Sequence, residues 1–108
     1  FQVSRAGWIG DYEDPNTFLD TLRPNRGNNK TGWENKKYDD LLELANSTND
    51  TEKRYNLLMQ AERILIDEMP IVPLYTYVRS YQLSEDVKGY FPNYLDHHHP
   101  KYIYLERD

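Results

Sequence analysis

The sequence predicts a mixed α/β fold, and three observations carry that prediction. Two segments place apolar residues at helical spacing, with a four-residue polar break between them. After Pro70, tyrosines and aliphatic residues alternate with the period of a strand. At the start of the chain, the apolar-leaning residues 1–6 run into a Gly-Trp turn.

Residues 1–6 read as a strand delivering Gly7-Trp8 and then Asp11, three residues beyond the indole. Asp14 fits as the N-cap and Pro15 as the first residue of a short helix over 16–22, with Phe18, Leu19 and Leu22 on one side. Residues 23–32 are rich in turn formers and read as a loop closed by Trp33. Asn35 suits the cap of a helix over 36–45, where Tyr38, Leu41, Leu42 and Ala45 form one apolar face. Asn49 or Asp50 caps the next helix, Asn49 fitting a capping box with Glu52. That helix extends to about residue 68; Leu58, Ala61 and Leu65 form its stripe, widened by Leu57, Ile64 and Met69. The short link predicts an antiparallel helix pair, and Pro70 ends the second member. Residues 71–78 read as a strand with Pro73 at its start or on an edge, Tyr75 and Tyr77 on one face, and Leu74, Thr76 and Val78 on the other. Residues 79–84 extend it or form a second short strand, 85–92 are a turn region containing Gly89, 94–100 are polar and irregular, and 101–105 form a last short strand.

One hundred and eight residues make one ordinary domain or part of a larger one. The chain starts at Phe1 without an initiator Met or signal peptide, so a piece of a longer protein is expected. No apolar run approaches the roughly 18 residues of a membrane span. A net charge of −5 without a basic stripe argues against a nucleic-acid partner. Lys36-Lys37 and Lys53-Arg54 sit beside acids and read as solvated helix faces. The lack of cysteine excludes a disulfide scaffold and thiol catalysis. The sequons at Asn29, Asn46 and Asn49 matter only in a glycosylating secretory pathway. A mean hydropathy of −0.93 implies a modest core. Ten tyrosines, two tryptophans and three phenylalanines suit a wet binding cleft.

Asp11 beside Trp8 can hold an ammonium group by a charge-assisted hydrogen bond, with the indole along the ligand's flank. The plainer alternative is a turn-stabilising Asp next to a core Trp. Arg5 is either a solvated or salt-bridged strand residue or a carboxylate binder. Tyr75 and Tyr77 either line a pocket with hydroxyls or are half-buried strand aromatics. His97-His98-His99 does not converge on a metal, because adjacent residues of an extended chain face opposite sides. Ser4, Ser47, Ser80 and Ser84 lie in no nucleophile elbow, and no glycine-rich phosphate loop is present. Asp11 with Asp14 can form the acid/base pair of a small hydrolase, but Asp14 is better used as a cap. No catalytic residue, metal ligand or cofactor is assigned. A Tyr-rich interaction module is a further alternative.

The stretch Arg5-Ala6-Gly7-Trp8, Asp11-Tyr12 and Asp14-Pro15 resembles the C-terminal part of the bacterial extracellular solute-binding proteins of the oligopeptide and dipeptide class (family 5), the peptide receptors of ABC importers. Gly27-Asn28-Asn29, Thr31-Gly32-Trp33, Asn35, Tyr38-Asp39 and Leu41-Leu42 look like that family's next loop and helix. Arg54, Ala61-Glu62, Leu65 and the run from Met69 through Tyr75 look like the following helix and strand, so order and spacing match over essentially the whole chain.

The resemblance implies the C-terminal portion of a two-lobed periplasmic-binding-protein type II fold, with residues 1–79 in the second lobe and 80–108 returning toward the first. It implies a binding component, not an enzyme, that captures oligopeptides at the periplasmic or extracellular face of the cytoplasmic membrane and delivers them to permease subunits. An N-terminal lipid anchor is compatible with it. By position, Asp11 matches the acid that pairs with the peptide's α-amino group, and Trp8 matches the cleft tryptophan. Arg5 matches a basic residue that meets the carboxylate of a short peptide, and Tyr77 a tyrosine that contacts peptide backbone. The family also includes receptors for nickel, haem and oligosaccharides, so the same fold with a non-peptide ligand is the alternative. The isolated fragment is expected to bind peptide weakly or not at all, and to self-associate through its exposed lobe interface.

Overall fold

The computed structural model describes residues 2–24, 26–93 and 95–107; Phe1 of the predicted first strand, Asn25 of the loop and Tyr94 of the irregular segment lie outside the described residues. Helices dominate the first of two compact units, which ends at Pro73. Helix α1 (Asn16–Leu19) continues as a 3-10 turn (Asp20–Leu22), and α2 (Lys36–Asn46) is followed after four residues by α3 (Thr51–Glu68).

Helices α2 and α3 each start where an N-cap side chain satisfies a first-turn backbone donor. Asn35 accepts from the Tyr38 N–H at 3.0 Å, as predicted. At α3 the cap is Asp50, which accepts from the Lys53 N–H at 2.9 Å. The Asn49–Glu52 capping box therefore does not form; the carboxylate of Asp50 suits the positive helix end better than an amide does. Helix α3 ends at Met69, which adopts the left-handed conformation (φ 49°) just before Pro70. Met69 is half exposed there and does not widen the apolar stripe.

The core gathers Leu19 and Leu22, Tyr38, Leu42 and Ala45 of α2, and Leu57, Leu58, Ala61 and Leu65 of α3, with Trp33, Leu41, Ile64 and Ile71 packed against it. Each buried leucine contributes about 2 kcal/mol. Tyr38 is wholly buried, and its hydroxyl donates to the Leu19 carbonyl at 2.6 Å, locking the first helical turns onto α2. Burial pushes the Tyr38 phenol far above its ordinary value, so it remains a donor at any working pH. The Trp33 ring meets Tyr38 edge-on with centroids 5.0 Å apart, and the Trp33 indole N–H donates to Glu68 at 2.7 Å.

The strand predictions fare differently. Among the described residues, 2–6 and 71–84 contain no strand. A strand needs a partner for its backbone groups, and the described residues offer none alongside these segments. The second unit, from Leu74 onward, holds a two-stranded antiparallel ladder instead: β1 (Val87–Lys88) pairs with β2 (Tyr104–Leu105) in the register Val87↔Leu105 and Lys88↔Tyr104. The region read as a turn thus contains β1. The predicted last strand is a 3-10 turn (Pro100–Tyr102) followed by β2. Gly89 has φ +78°, and a Cβ there would lie 1.8 Å from the Tyr102 carbonyl oxygen, so the ladder's approach requires glycine.

Tyr38→Phe should lower unfolding stability by about 1–2 kcal/mol, since it leaves the buried Leu19 carbonyl without its donor. Urea titration of both proteins is the check, and coincident midpoints would remove this bond from the account.

Candidate functional site

The turn between residue 8 and α1 forms a recess of about 200 Å³ lined by Trp8, Asp11, Tyr12, Thr17, Asp20, Thr21, Arg26 and Asn28. The structure thus brings together Trp8 and Asp11, two of the four residues singled out from sequence. Arg5 is exposed and does not line the recess. Tyr77 belongs to the second unit, where its ring meets Tyr75 edge-on with centroids 5.1 Å apart.

Local bonding explains how an irregular turn is held. The Asp11 N–H donates to the hydroxyl of Thr17 at 2.9 Å, and Thr17 is buried in α1. Gly10 brings the backbone close to that threonine; a Cβ there would sit 3.2 Å from Thr17 Cγ2. Buried Asn16 donates from Nδ2 to the Tyr12 hydroxyl at 3.1 Å. Asp14 opens α1 as its carboxylate accepts from the Asn16 N–H at 2.9 Å, and its carbonyl accepts from the Thr17 N–H at 3.1 Å. Pro15, predicted as the first helical residue, is instead the N-cap of α1, so the helix starts one residue later than predicted, although Pro15 already has helical angles (φ −56°, ψ −29°).

Asp14 does more than cap. Arg54 of α3 grips the same carboxylate with both terminal nitrogens, at 2.7 and 2.8 Å. This corrects the placement of Arg54 on a solvated face: its side chain is 22% exposed and paired. A signal was present, because Arg54 precedes Leu58, Ala61 and Leu65 by four, seven and eleven residues and so shares their buried stripe. The Arg54 guanidinium holds the Asp14 carboxyl below the ordinary carboxylate range, against the opposing effect of burial.

The far wall is set by the loop over 23–33. Asn29 uses its whole amide: Nδ2 donates to the carbonyls of Leu22 and Trp33 at 2.8 Å each, and Oδ1 accepts from Thr31. Arg23 lies against Glu43, Asp20 and Asp39 at 2.6, 3.4 and 3.6 Å. Burial raises the Asp39 carboxyl and Arg23 only partly offsets it. Of the two recess acids, Asp20 is compensated by Arg23 and Arg26. The Asp11 carboxylate, among the described residues, accepts no hydrogen bond and joins no ion pair. An uncompensated carboxylate beside a partly exposed indole is suited to a cationic group such as an ammonium.

The histidines have other uses. His98 sits 3.0 Å from the Asp96 carboxylate and stacks on Tyr90, while His99 meets Tyr102 edge-on. No cluster of three or more metal-ligating side chains occurs among the described residues. No described helix is long and apolar enough to cross a membrane.

No family model matches the chain. An oligopeptide-binding protein of Bacillus subtilis is 46% identical over 90 residues, covering 82% of this chain and 16% of that protein. A dipeptide-binding protein of the same organism is 42% identical over 89 residues, with the same coverage of each chain. A probable deoxycholate-binding periplasmic protein of Escherichia coli is 35% identical over 108 residues, 98% of this chain and 20% of its own length. The chain therefore spans about a sixth to a fifth of the length of these curated relatives.

The Asp14–Arg54 pair has a pH signature. Unfolded Asp14 titrates near 3.8 and folded Asp14 lower, so its stabilisation is complete above that pH and vanishes as pH falls through the depressed value. Asp14→Asn should cost ~1 kcal/mol at neutral pH and flatten the loss of stability as pH falls below about 4. Urea midpoints measured against pH decide it, and parallel curves for the two proteins would dismiss the pair as a contributor.

Proposed function

The chain is a homologue, over most of its length, of bacterial oligopeptide- and dipeptide-binding proteins, and from that premise we propose that it forms the C-terminal part of a peptide receptor serving an ABC importer. The observation that carries the reading is the recess lined by both Trp8 and Asp11, whose carboxylate pairs with none of the described residues. In this reading Asp11 takes the peptide's α-ammonium and the indole of Trp8 packs along its backbone. Arg5 meets the carboxylate of a short peptide, and Tyr77 bonds to peptide backbone. Charge and backbone bonds hold the ends, and hydrated space receives the side chains, which gives affinity with little sequence preference.

The full protein is a two-lobed receptor of the type II periplasmic-binding class, with residues 1–79 in the second lobe and 80–108 returning toward the first. It works at the periplasmic or outer face of the cytoplasmic membrane and passes oligopeptides to permease subunits. Its task is binding, without turnover. The isolated fragment self-associates through surface that the rest of the receptor covers.

A second reading keeps the receptor and changes the ligand. It is favoured by the relative named for deoxycholate, which aligns over 98% of the chain. A nickel complex, haem or oligosaccharide belongs to the same alternative.

Calorimetric titration of the full-length protein with tri- to pentapeptides, free and N-acetylated, separates the two. Free peptides should bind, and acetylation or Asp11→Asn should weaken binding at least about tenfold, as expected for loss of a buried charge-assisted bond. Equal affinity for both pools would take Asp11 out of this role, and silence with both would hand the site to a non-peptide ligand.

A further inference from the structure

We propose that Arg54 is a positioning residue for the recess carboxylate, acting on Asp11 through Asp14 and Thr17. Arg54 lies 43 residues beyond Asp11 in the chain and is absent from the recess lining. Three links connect them. The guanidinium fork of Arg54 holds both oxygens of Asp14 at 2.7 and 2.8 Å. Asp14 in turn anchors the start of α1, accepting from Asn16 through its side chain and from Thr17 through its carbonyl. The hydroxyl of Thr17 then accepts the Asp11 N–H at 2.9 Å.

Geometry makes this chain of contacts consequential. Helix α1 has four residues, too few to persist by its own hydrogen bonds. Residues 2–10 form no helix or strand, so Asp11 gains no support from regular structure upstream. The position of its carboxylate is therefore inherited from α1, and α1 is pinned to the long, core-bearing α3 at Asp14. A bidentate guanidinium fixes direction as well as distance, which a lysine ammonium does not. Displacing a charged partner by about an ångström is enough to weaken a charge-assisted hydrogen bond severely.

The inference about ligand binding rests on the peptide reading, whereas the positional one does not, and two measurements on the full-length protein keep them apart. The first is amide hydrogen exchange. Arg54→Met, and independently Asp14→Asn, which keeps a cap acceptor for Asn16, should speed exchange of the Asp11 amide about tenfold while α2 amides keep their protection. Arg54→Lys should fall between. The second is calorimetry with free and N-acetylated peptides, where the same variants should weaken the free peptides about tenfold and leave the acetylated ones unchanged. Unchanged Asp11 exchange overturns the proposal. So does an equal rise at every amide, which would make Arg54 a contributor to global stability only. If the parent protein takes no free peptide, the peptide reading falls, and the exchange data alone decide the positioning role.

Discussion

The ion pair between Arg54 and Asp14 is the contact that ties the start of α1 to the core-bearing α3. It joins residues 40 apart in sequence, at 2.7 and 2.8 Å, with both side chains only about a quarter exposed. In water such a pair contributes little, because two long side chains must be ordered against strong screening. Here the ordering has a further return. Asp14 also starts α1, and α1 carries Leu19 into the core and Thr17 to the recess. One carboxylate thus serves a helix start and a tertiary tie beside the recess.

Charge is distributed unevenly around the recess. Arg23 lies close to Glu43, Asp20 and Asp39, Arg26 approaches Asp20, and Lys36 pairs with Asp40. These contacts neutralise Asp20 of the recess as well as acids on the helix α2 face. Among the described residues Asp11 takes no part in this network, although Arg26 lines the same small space. Asp11 is held through its backbone N–H, and a carboxylate without a partner keeps its full capacity to accept hydrogen bonds.

Much of this was legible in the sequence, and the division follows the range of the forces involved. Helix ends are local: Asn35 and Pro70 announced α2 and the end of α3 from their own chemistry, and the Tyr38–Leu42–Ala45 face followed from spacing. Trp8 and Asp11 could be paired because three residues of turn keep them close. Arg54 was misplaced because its neighbours Lys53 and Glu52 suggested a solvated face; its register with Leu58 and Ala61 was the better guide. The role of Thr17 was invisible, since a hydroxyl that accepts one backbone N–H six residues earlier has no periodic signature.

Strands expose the opposite limit. An alternating pattern such as residues 71–78 states which side chains would face which way, but the ladder bonds must come from another segment. Without such a neighbour among the described residues, Leu74 and Val78 are 79% and 88% exposed, whereas the leucines of α3 that share the core are nearly inaccessible. A helix completes its own hydrogen bonds and needs a partner only for its apolar face; a strand needs one for both. Where β1 does find a partner in β2, the pairing depends on Gly89 admitting the Tyr102 carbonyl, a non-local contact that composition cannot announce. The helical half of this chain is therefore self-specified, and the segments that read as strands describe what must lie beside them, in a chain that spans about a sixth of the length of its Bacillus relatives.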